Sequence, residues 1–283
     1  MNEMLYILLP VHNRCEVTRR FMACLTVQTH QSFHLVLIDD GCSDGTAEMV
    51  SENIGPLTVI RGTGDWWWAG SLQQGYRWLK KQDIPFGAIV LIINDDTEFE
   101  ADFLEQGIQR IRQRQRTLLL AQCYSRQTGR LIDSGVHVDW RRLTYEQASA
   151  PERINCLSTR GLFLHTADLF EIGGFHPILL PHYGSDYEFT IRAYRMGMTL
   201  LTDQKVRLRL DEETTGFHRV VSDSFFVRLG QIFSKRSPLN PLYGSLYIVL
   251  CSPWFWIPVN IARVWLAAVY RLFSSDRNDL NRT

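Results

Sequence analysis

The chain has no cysteine pair at metal-binding or redox spacing. Its six cysteines (Cys15, Cys24, Cys42, Cys123, Cys156 and Cys251) are scattered, with no CxxC and no paired histidines beside them. That pattern argues against a zinc site or a disulfide scaffold, and for a reducing compartment. Neither sign of charge is in excess: Lys plus Arg and Asp plus Glu each number 30 among 283 residues. No global basic field therefore points to nucleic acid. The opening MNEMLYILLPVHNR has Glu3 and no cation ahead of its apolar run, which meets Pro10 and His12 too soon for a signal peptide. Internal repeats and low-complexity tracts are absent. A dinucleotide fingerprint is also wanting: Gly62 and Gly64 are spaced as GxG, but Trp67 stands where a third glycine must let helix and strand pack closely.

What the chain does have is a strand and helix alternation long enough for one large α/β domain, with or without an appendage. Its organising stretch is Ile89 to Thr97, IVLIINDDT. An unbroken apolar run is the mark of a strand buried on both faces. Here it ends in Asn94, Asp95 and Asp96. Adjacent carboxylates repel one another, so holding two together calls for a partner such as a hard divalent cation. A competing reading makes Thr97 and Glu100 a capping box for a helix over Ala101 to Arg116. Further strands are expected at Met4–Leu9, Leu35–Ile38, Leu57–Ile60, Leu118–Ala121 and Leu162–Leu164. Helices are expected at Val17–Val27, from the Asp39–Thr46 turn through Ile54, and over Gly70–Lys81, Ala167–Ile172 and Asp186–Met196. Tyr124 to Asn155 reads as a β-rich or irregular excursion beside the sheet. Ligands of a doubly wound parallel sheet bind beyond the carboxyl ends of its strands. Asp39 and Asp40 end one strand, and Asp95 and Asp96 end another.

Two further features bear on a site. Trp66, Trp67 and Trp68 cannot all face one core, so two are assigned to packing and one to a cleft, where an indole can stack on a base or a sugar ring. Ser185 and Glu188 have capping-box spacing around Asp186, which would hold that carboxylate rigidly at a helix start and the mouth of a loop.

Taken together, these motifs resemble the inverting glycosyltransferases of family two, with the GT-A fold. The residues that carry the resemblance are PVHNR at Pro10–Arg14, LIDDGCSDGT at Leu37–Thr46, IINDDTEF at Ile92–Phe99, GGF at Gly173–Phe175, GSDYEFTIR at Gly184–Arg192 and HRVVS at His218–Ser222. The GDWWWAG stretch further looks like a subgroup that acts on bacterial surface polysaccharides. The resemblance implies a mostly parallel nucleotide-binding sheet flanked by helices. A catalytic domain would cover residues 1–222, its nucleotide-sugar half about 1–122 and its acceptor half about 123–222. Pro10, Val11, His12, Asp40, Gly64 and Asp95 would serve the nucleotide. Asp96 and His218 would hold Mn2+ or Mg2+, and Asp186 would be the general base. Arg160, Gly161 and Trp67 would face the acceptor. The implied partners are a UDP- or dTDP-sugar donor and a glycan or lipid-linked acceptor, without nucleic acid. Two departures stand out: Asn94 replaces an acid at the head of the acidic triplet, and Ser185 replaces the usual Glu before the base. The alternatives are a binding protein that kept the fold without activity and a sugar nucleotidyltransferase. The latter wants a glycine-rich basic phosphate loop near the first strand, and PVHNR is not one.

Residues 223–283 form a hydrophobic helical region. Ser237 to Ala262 carries no charge, and Lys235, Arg236 and Arg263 flank it. The length matches a bilayer, but Pro238, Pro241, Pro253 and Pro258 break the run. Helices lying on a membrane surface, a dimer contact and a hairpin packed on the catalytic domain are all open readings. The expected location is cytoplasmic, on the inner face of the membrane, as a monomer or homo-oligomer.

Overall fold

The computed structural model describes residues 3–85, 87–213 and 225–273. The chain begins with β1 (Leu5–Val11), α1 (Cys15–Thr26), β2 (Phe33–Asp39), α2 (Thr46–Asn53), β3 (Leu57–Arg61), α3 (Trp67–Leu79) and β4 (Ile89–Ile92). Strands β3, β2, β1 and β4 lie side by side and parallel. The apolar runs of β2, β1 and β4 are buried on both faces, the edge strand β3 is partly buried, and the two-residue period divides them cleanly. Leu5, Ile7, Leu9, Leu35, Leu37, Ile89 and Leu91 enter one core with α1 and α2. Tyr6, Leu8, Val36, Ile38, Val90 and Ile92 enter a second core with α3. The result is a three-layer α/β/α arrangement whose site edge is the carboxyl end of these strands.

The chain continues through β5 (Thr97–Glu98), α4 (Phe103–Ile111), β6 (Thr117–Ser125), β7 (Leu131–Asp133), β8 (Val136–Asp139) and β9 (Thr144–Gln147). Then come β10 (Leu162–His165), α5 (Thr166–Ile172), α6 (Ser185–Arg195) and β11 (Thr199–Leu210). The sheet runs in the order β3-β2-β1-β4-β10-β6-β11-β5, with β7 on β6, and β8–β9 form a separate hairpin.

Three strands break the parallel pattern that the alternation predicts: β5 and β7 are antiparallel to β11 and β6, and β10 lies in the middle of the sheet. β10 is antiparallel to both β4 and β6. The β8–β9 excursion ends at the site edge, so the chain re-enters the sheet from that edge and runs back. This reversal places the residues just before β10 beside the end of β4, where Gly161 N–H donates to the Ile92 carbonyl at 3.0 Å.

Neither expected capping box forms. Thr97 lies in β5 and its hydroxyl donates to the Asn94 carbonyl at 2.7 Å. The helix that follows starts later and stops sooner than the periodicity suggests, because the basic stretch after Ile111 has no apolar face to bury. At α6 the N-cap is Gly184, in the left-handed region, and Ser185 turns back to the His182 carbonyl. Glu188 instead pairs with Arg192 through both oxygens, at 2.9 and 3.0 Å. Asp186 still lies in the first turn.

The C-terminal region folds as α7 (Phe225–Ile232), α8 (Pro241–Cys251) and α9 (Ile257–Phe273). α8 and α9 form a hairpin whose inner side joins a third core with β8 and α6, including Val136, Val138, Ile191, Tyr247, Ile248 and Cys251. Arg195 donates to the carbonyls of Leu250 and Cys251, the last of α8, where a cation also meets the negative end of the helix. Among the described residues, no helix is long and apolar enough to cross a membrane.

Candidate active site

Because β1, β2 and β4 are parallel, the loops after them converge. The β1 loop supplies His12, Asn13 and Arg14. His12 Nδ1 donates to the Asp40 carbonyl at 2.6 Å, and Asn13 Oδ1 accepts from Ser43 N–H at 2.8 Å, so the first two loops are stitched together. Pro10 and Val11 are the last residues of β1, paired with Ile38 and Asp39 of β2.

Asp40 is 4% exposed. Its Oδ1 accepts from Gly64 N–H at 2.9 Å, and its Oδ2 accepts from the N–H groups of Trp66 and Trp67, both at 3.0 Å. In this state Asp40 orders the loop after β3 and the start of α3. Trp67, a bulky residue with a φ of +56°, is held in a costly left-handed conformation by this anchoring. The turn separates the three indoles. Trp66 and Trp68 pack on the core. The Trp67 ring meets His182 edge-on at 5.8 Å and carries the Arg236 guanidinium 5.0 Å over its face. The Trp67 Nε1 is buried with no partner.

The acidic pair sits at the centre of this edge, each carboxylate nearly closed to solvent. Arg14 bridges them, 3.3 Å from Asp95 Oδ1 and 3.4 Å from Asp96 Oδ2. Thr18 adds a hydroxyl bond to Asp95 Oδ2 at 2.9 Å. Burial pushes the Asp95 carboxyl up to about 6, with Arg14 and Thr18 opposing and the Asp96 charge adding to the rise. The other oxygen of Asp96, Oδ1, is buried without any hydrogen-bond partner. A buried carboxylate oxygen left bare costs free energy unless a cation or donor arrives.

Behind the pair lies a second ring of groups. Asp211 follows β11, and its N–H donates to the Asp96 carbonyl at 3.2 Å. Its carboxylate receives Arg20 and Arg126, each at 3.0 Å, and Gln127 at 2.7 Å. Beside the end of β4, Gly161 has a φ of +83°, and a Cβ there would stand 2.7 Å from Leu208 Cδ2 and 3.1 Å from Ala121 Cβ. Only glycine fits this turn, which sends Arg160 into the cleft. The Arg160 Nε is buried without a partner. Burial alone would lower the Arg160 pKa, but the charges of Cys123, Asp96, Asp133 and Asp186 outweigh it and raise the value. Arg160 therefore lies within electrostatic reach of both Asp96 and Asp186. Asp186 is enclosed by protein on most sides. Burial pushes its carboxyl up to about 6, against the Tyr187 backbone N–H and the Arg160 charge, which favour ionisation.

The structure thus gathers Pro10, Val11, His12, Asp40, Gly64, Asp95, Asp96, Arg160, Gly161, Trp67 and Asp186 along one edge. His218 lies outside the described residues. Sequence reasoning missed Arg14 as the bridge, Asp133 and Asp211. Asp133 accepts from Ser158 Oγ at 2.8 Å and from Gly135 N–H at 3.0 Å, which fixes the approach to Arg160. The Asp-Ser-Gly turn and the alternation before Asp211 are the signals that could have found them. Among the described residues, no three His, Cys, Asp or Glu side chains form a ready cation cage. A cavity of about 540 Å3 opens away from these groups, beside β5, β6 and β11, lined by Glu98, Tyr124, Arg207 and Arg209.

Comparison with known proteins agrees with this architecture. Residues 6–164 match the family described as Glycosyl transferase family 2, which is more than half of the chain. The chain belongs to that family and is a glycosyltransferase of GT-A-like fold. Among solved structures it is similar to the mannosyltransferase PcManGT from Pyrobaculum calidifontis, a complex with GDP-Man and Mn2+, at 18% identity and a TM-score of 0.55, over 96% of this chain and 76% of that one. It is also similar to S. aureus TarS, at 16% identity and a TM-score of 0.59, over 95% of this chain and 54% of that one. A TarS segment of residues 1–349 in complex with UDP-GlcNAc matches at 16% identity and a TM-score of 0.58, over 98% of this chain and 74% of that one. No curated protein matches the sequence.

Proposed function

We propose that this glycosyltransferase moves a sugar from a nucleotide-diphosphate donor to a glycan or lipid-linked acceptor, with inversion and with a divalent cation, in cell-surface polysaccharide assembly. The observation that carries the reading is a pairing around Arg160. Asp96 offers a buried oxygen without a partner, and Asp186 offers a carboxyl raised to about 6. The two carboxylates suit different tasks because their surroundings differ.

The residues fit a hard cation. Asp96 Oδ1 is a bare oxygen ligand, and the nucleotide diphosphate would complete the shell together with His218. Mn2+ or Mg2+ bound there would offset the negative charge that grows on the departing phosphate oxygen. The remaining steps belong to the chain. The β1 loop, Asp95 and the Asp40-ordered turn would hold the nucleotide, and Trp67 and Arg160 would orient the acceptor. The acceptor hydroxyl oxygen attacks the anomeric carbon as the bond to the diphosphate breaks. The diphosphate keeps that electron pair, and Asp186 takes the hydroxyl proton. A single displacement of this kind inverts the anomeric configuration and needs no protein nucleophile. The complexes of PcManGT with GDP-Man and Mn2+, and of TarS with UDP-GlcNAc, support the donor class. A UDP- or dTDP-sugar is the expected donor.

A thermal-shift screen of nucleotide sugars, with manganese and with chelator, tests the proposal. At least one donor should raise the melting temperature only with metal, and Asp96→Ala should abolish that rise. A donor that stabilises the wild type equally in chelator removes the metal from the mechanism.

A further inference from the structure

The helix α9 is apolar on both sides: Ile257, Ile261 and Val264 pack inward on the third core, and a second apolar set faces out. Its buried residues are Asn260 and Ala268, a polar residue and a small one. Asn260 Nδ2 donates to the Trp140 carbonyl at 2.9 Å. A second set of large apolar side chains turns outward: Leu266 is 68% exposed and Tyr270 71%. Val259, Leu266, Tyr270 and Phe273 recur at helical spacing and so form one stripe. The turn before α9 adds Trp254, which is 81% exposed. A water-facing helix carries polar residues on its outer side, and this one carries a contiguous apolar stripe there instead.

The segment that carries the stripe has charge of one sign. From Phe225 to Phe273 the sequence contains no Asp or Glu, while Arg228, Lys235, Arg236, Arg263 and Arg271 are all cationic. The rest of the chain carries 25 cations and 30 acids, so the segregation is local. Arg263 is anchored through the Arg141 carbonyl at 2.7 Å and Asn260 Oδ1 at 3.0 Å, and neither contact neutralises it. Among the described residues, no helix is long enough to span a bilayer. An apolar and aromatic face on a segment whose only charges are cationic complements a surface that is greasy within and anionic without.

We propose that the outer face of the C-terminal hairpin, centred on Leu266, Tyr270 and Trp254, docks the enzyme in the plane of an anionic lipid bilayer. The proposal does not depend on the donor, the metal or the base. The lipid headgroups meet the cations, and the stripe enters the boundary between headgroups and acyl chains. A second copy of the chain would need acidic groups opposite these cations, and the face itself supplies none.

Vesicle co-sedimentation of the full chain tests this. The probes are phosphatidylcholine vesicles with about 30% phosphatidylglycerol, and pure phosphatidylcholine vesicles. The expected result is binding at least about tenfold stronger to the anionic vesicles, weakened by added salt. Leu266→Glu with Tyr270→Glu should lower binding by about tenfold or more, with the melting temperature and gel-filtration volume unchanged. Should that double variant unfold, Trp254→Ser and the salt dependence of the wild type make the same distinction. Wild type that ignores both vesicles overturns the proposal. So does a wild-type dimer that the double variant dissociates, since another copy would then cover the face.

Discussion

Asp186→Asn separates a carboxylate kept for chemistry from one kept for structure. The substitution preserves shape and removes only the ability to ionise. In the native protein the carboxyl titrates near 6 rather than at an ordinary 3.8. Between those values the folded state binds more protons than the unfolded state, so stability falls as pH rises through that window. The penalty is absent below 3.8 and complete above about 6. At 1.36 kcal/mol per pH unit it amounts to at most about 3 kcal/mol, because part of the side chain stays open to the cleft. The amide carries no such penalty. Asp186→Asn should therefore match the wild type at pH 4 and be more stable at pH 8, by about 2–4 °C in melting temperature for each kcal/mol recovered. Turnover should move the other way, by about 100- to 10,000-fold, with donor binding intact. In the wild type, kcat/KM should decline as pH falls below about 6 and the base protonates. Paired calorimetry and initial-rate measurements across this range decide the matter. Normal turnover by the variant, or lower stability at pH 8, would refute the assignment of Asp186 as a tuned base.

Two other substitutions test the frame around the cleft. Asp40→Ala strips the partner from the N–H groups of Gly64, Trp66 and Trp67. At about 1–3 kcal/mol for each buried donor left dry, the urea midpoint should fall by the equivalent of about 3 kcal/mol or more. Gly161→Ala should cost about 1–3 kcal/mol, from its left-handed backbone and the contact with Leu208. It should also raise KM for the acceptor more than for the donor, because Arg160 rides on that turn.

The parallel half of the sheet was legible because its strands are buried on both faces, and such strands write themselves as unbroken apolar runs. Asp95 and Asp96 were legible for a related reason: an abrupt switch from apolar to acidic marks a strand end. β11 was not seen. Lys205, Arg207 and Arg209 alternate with buried Val206, Leu208 and Leu210, and the charges hide the strand from a search for continuous runs. Pairing partners were equally hidden. Sequence spacing identified Asp40 as important but could not show that its oxygens are consumed by three backbone donors from a loop more than twenty residues away. Nor could it reveal Arg14 between the acidic pair, since that contact spans 82 positions. Capping boxes failed because both candidates had better local partners once the chain turned.

The seating of α8 against α6 has a mechanical consequence. Tyr247 lies against Gly184, where a Cβ would meet its ring at 3.2 Å, and Arg195 ties the far end of α6 to the end of α8. The helix that carries Asp186 is thus gripped at both ends by the C-terminal hairpin. Asp186, in the first turn of α6, therefore lies on a helix three turns long whose position depends on that hairpin. Shortening the chain in search of a minimal catalyst would release the clamp, and turnover should fall because α6 no longer holds Asp186 in place.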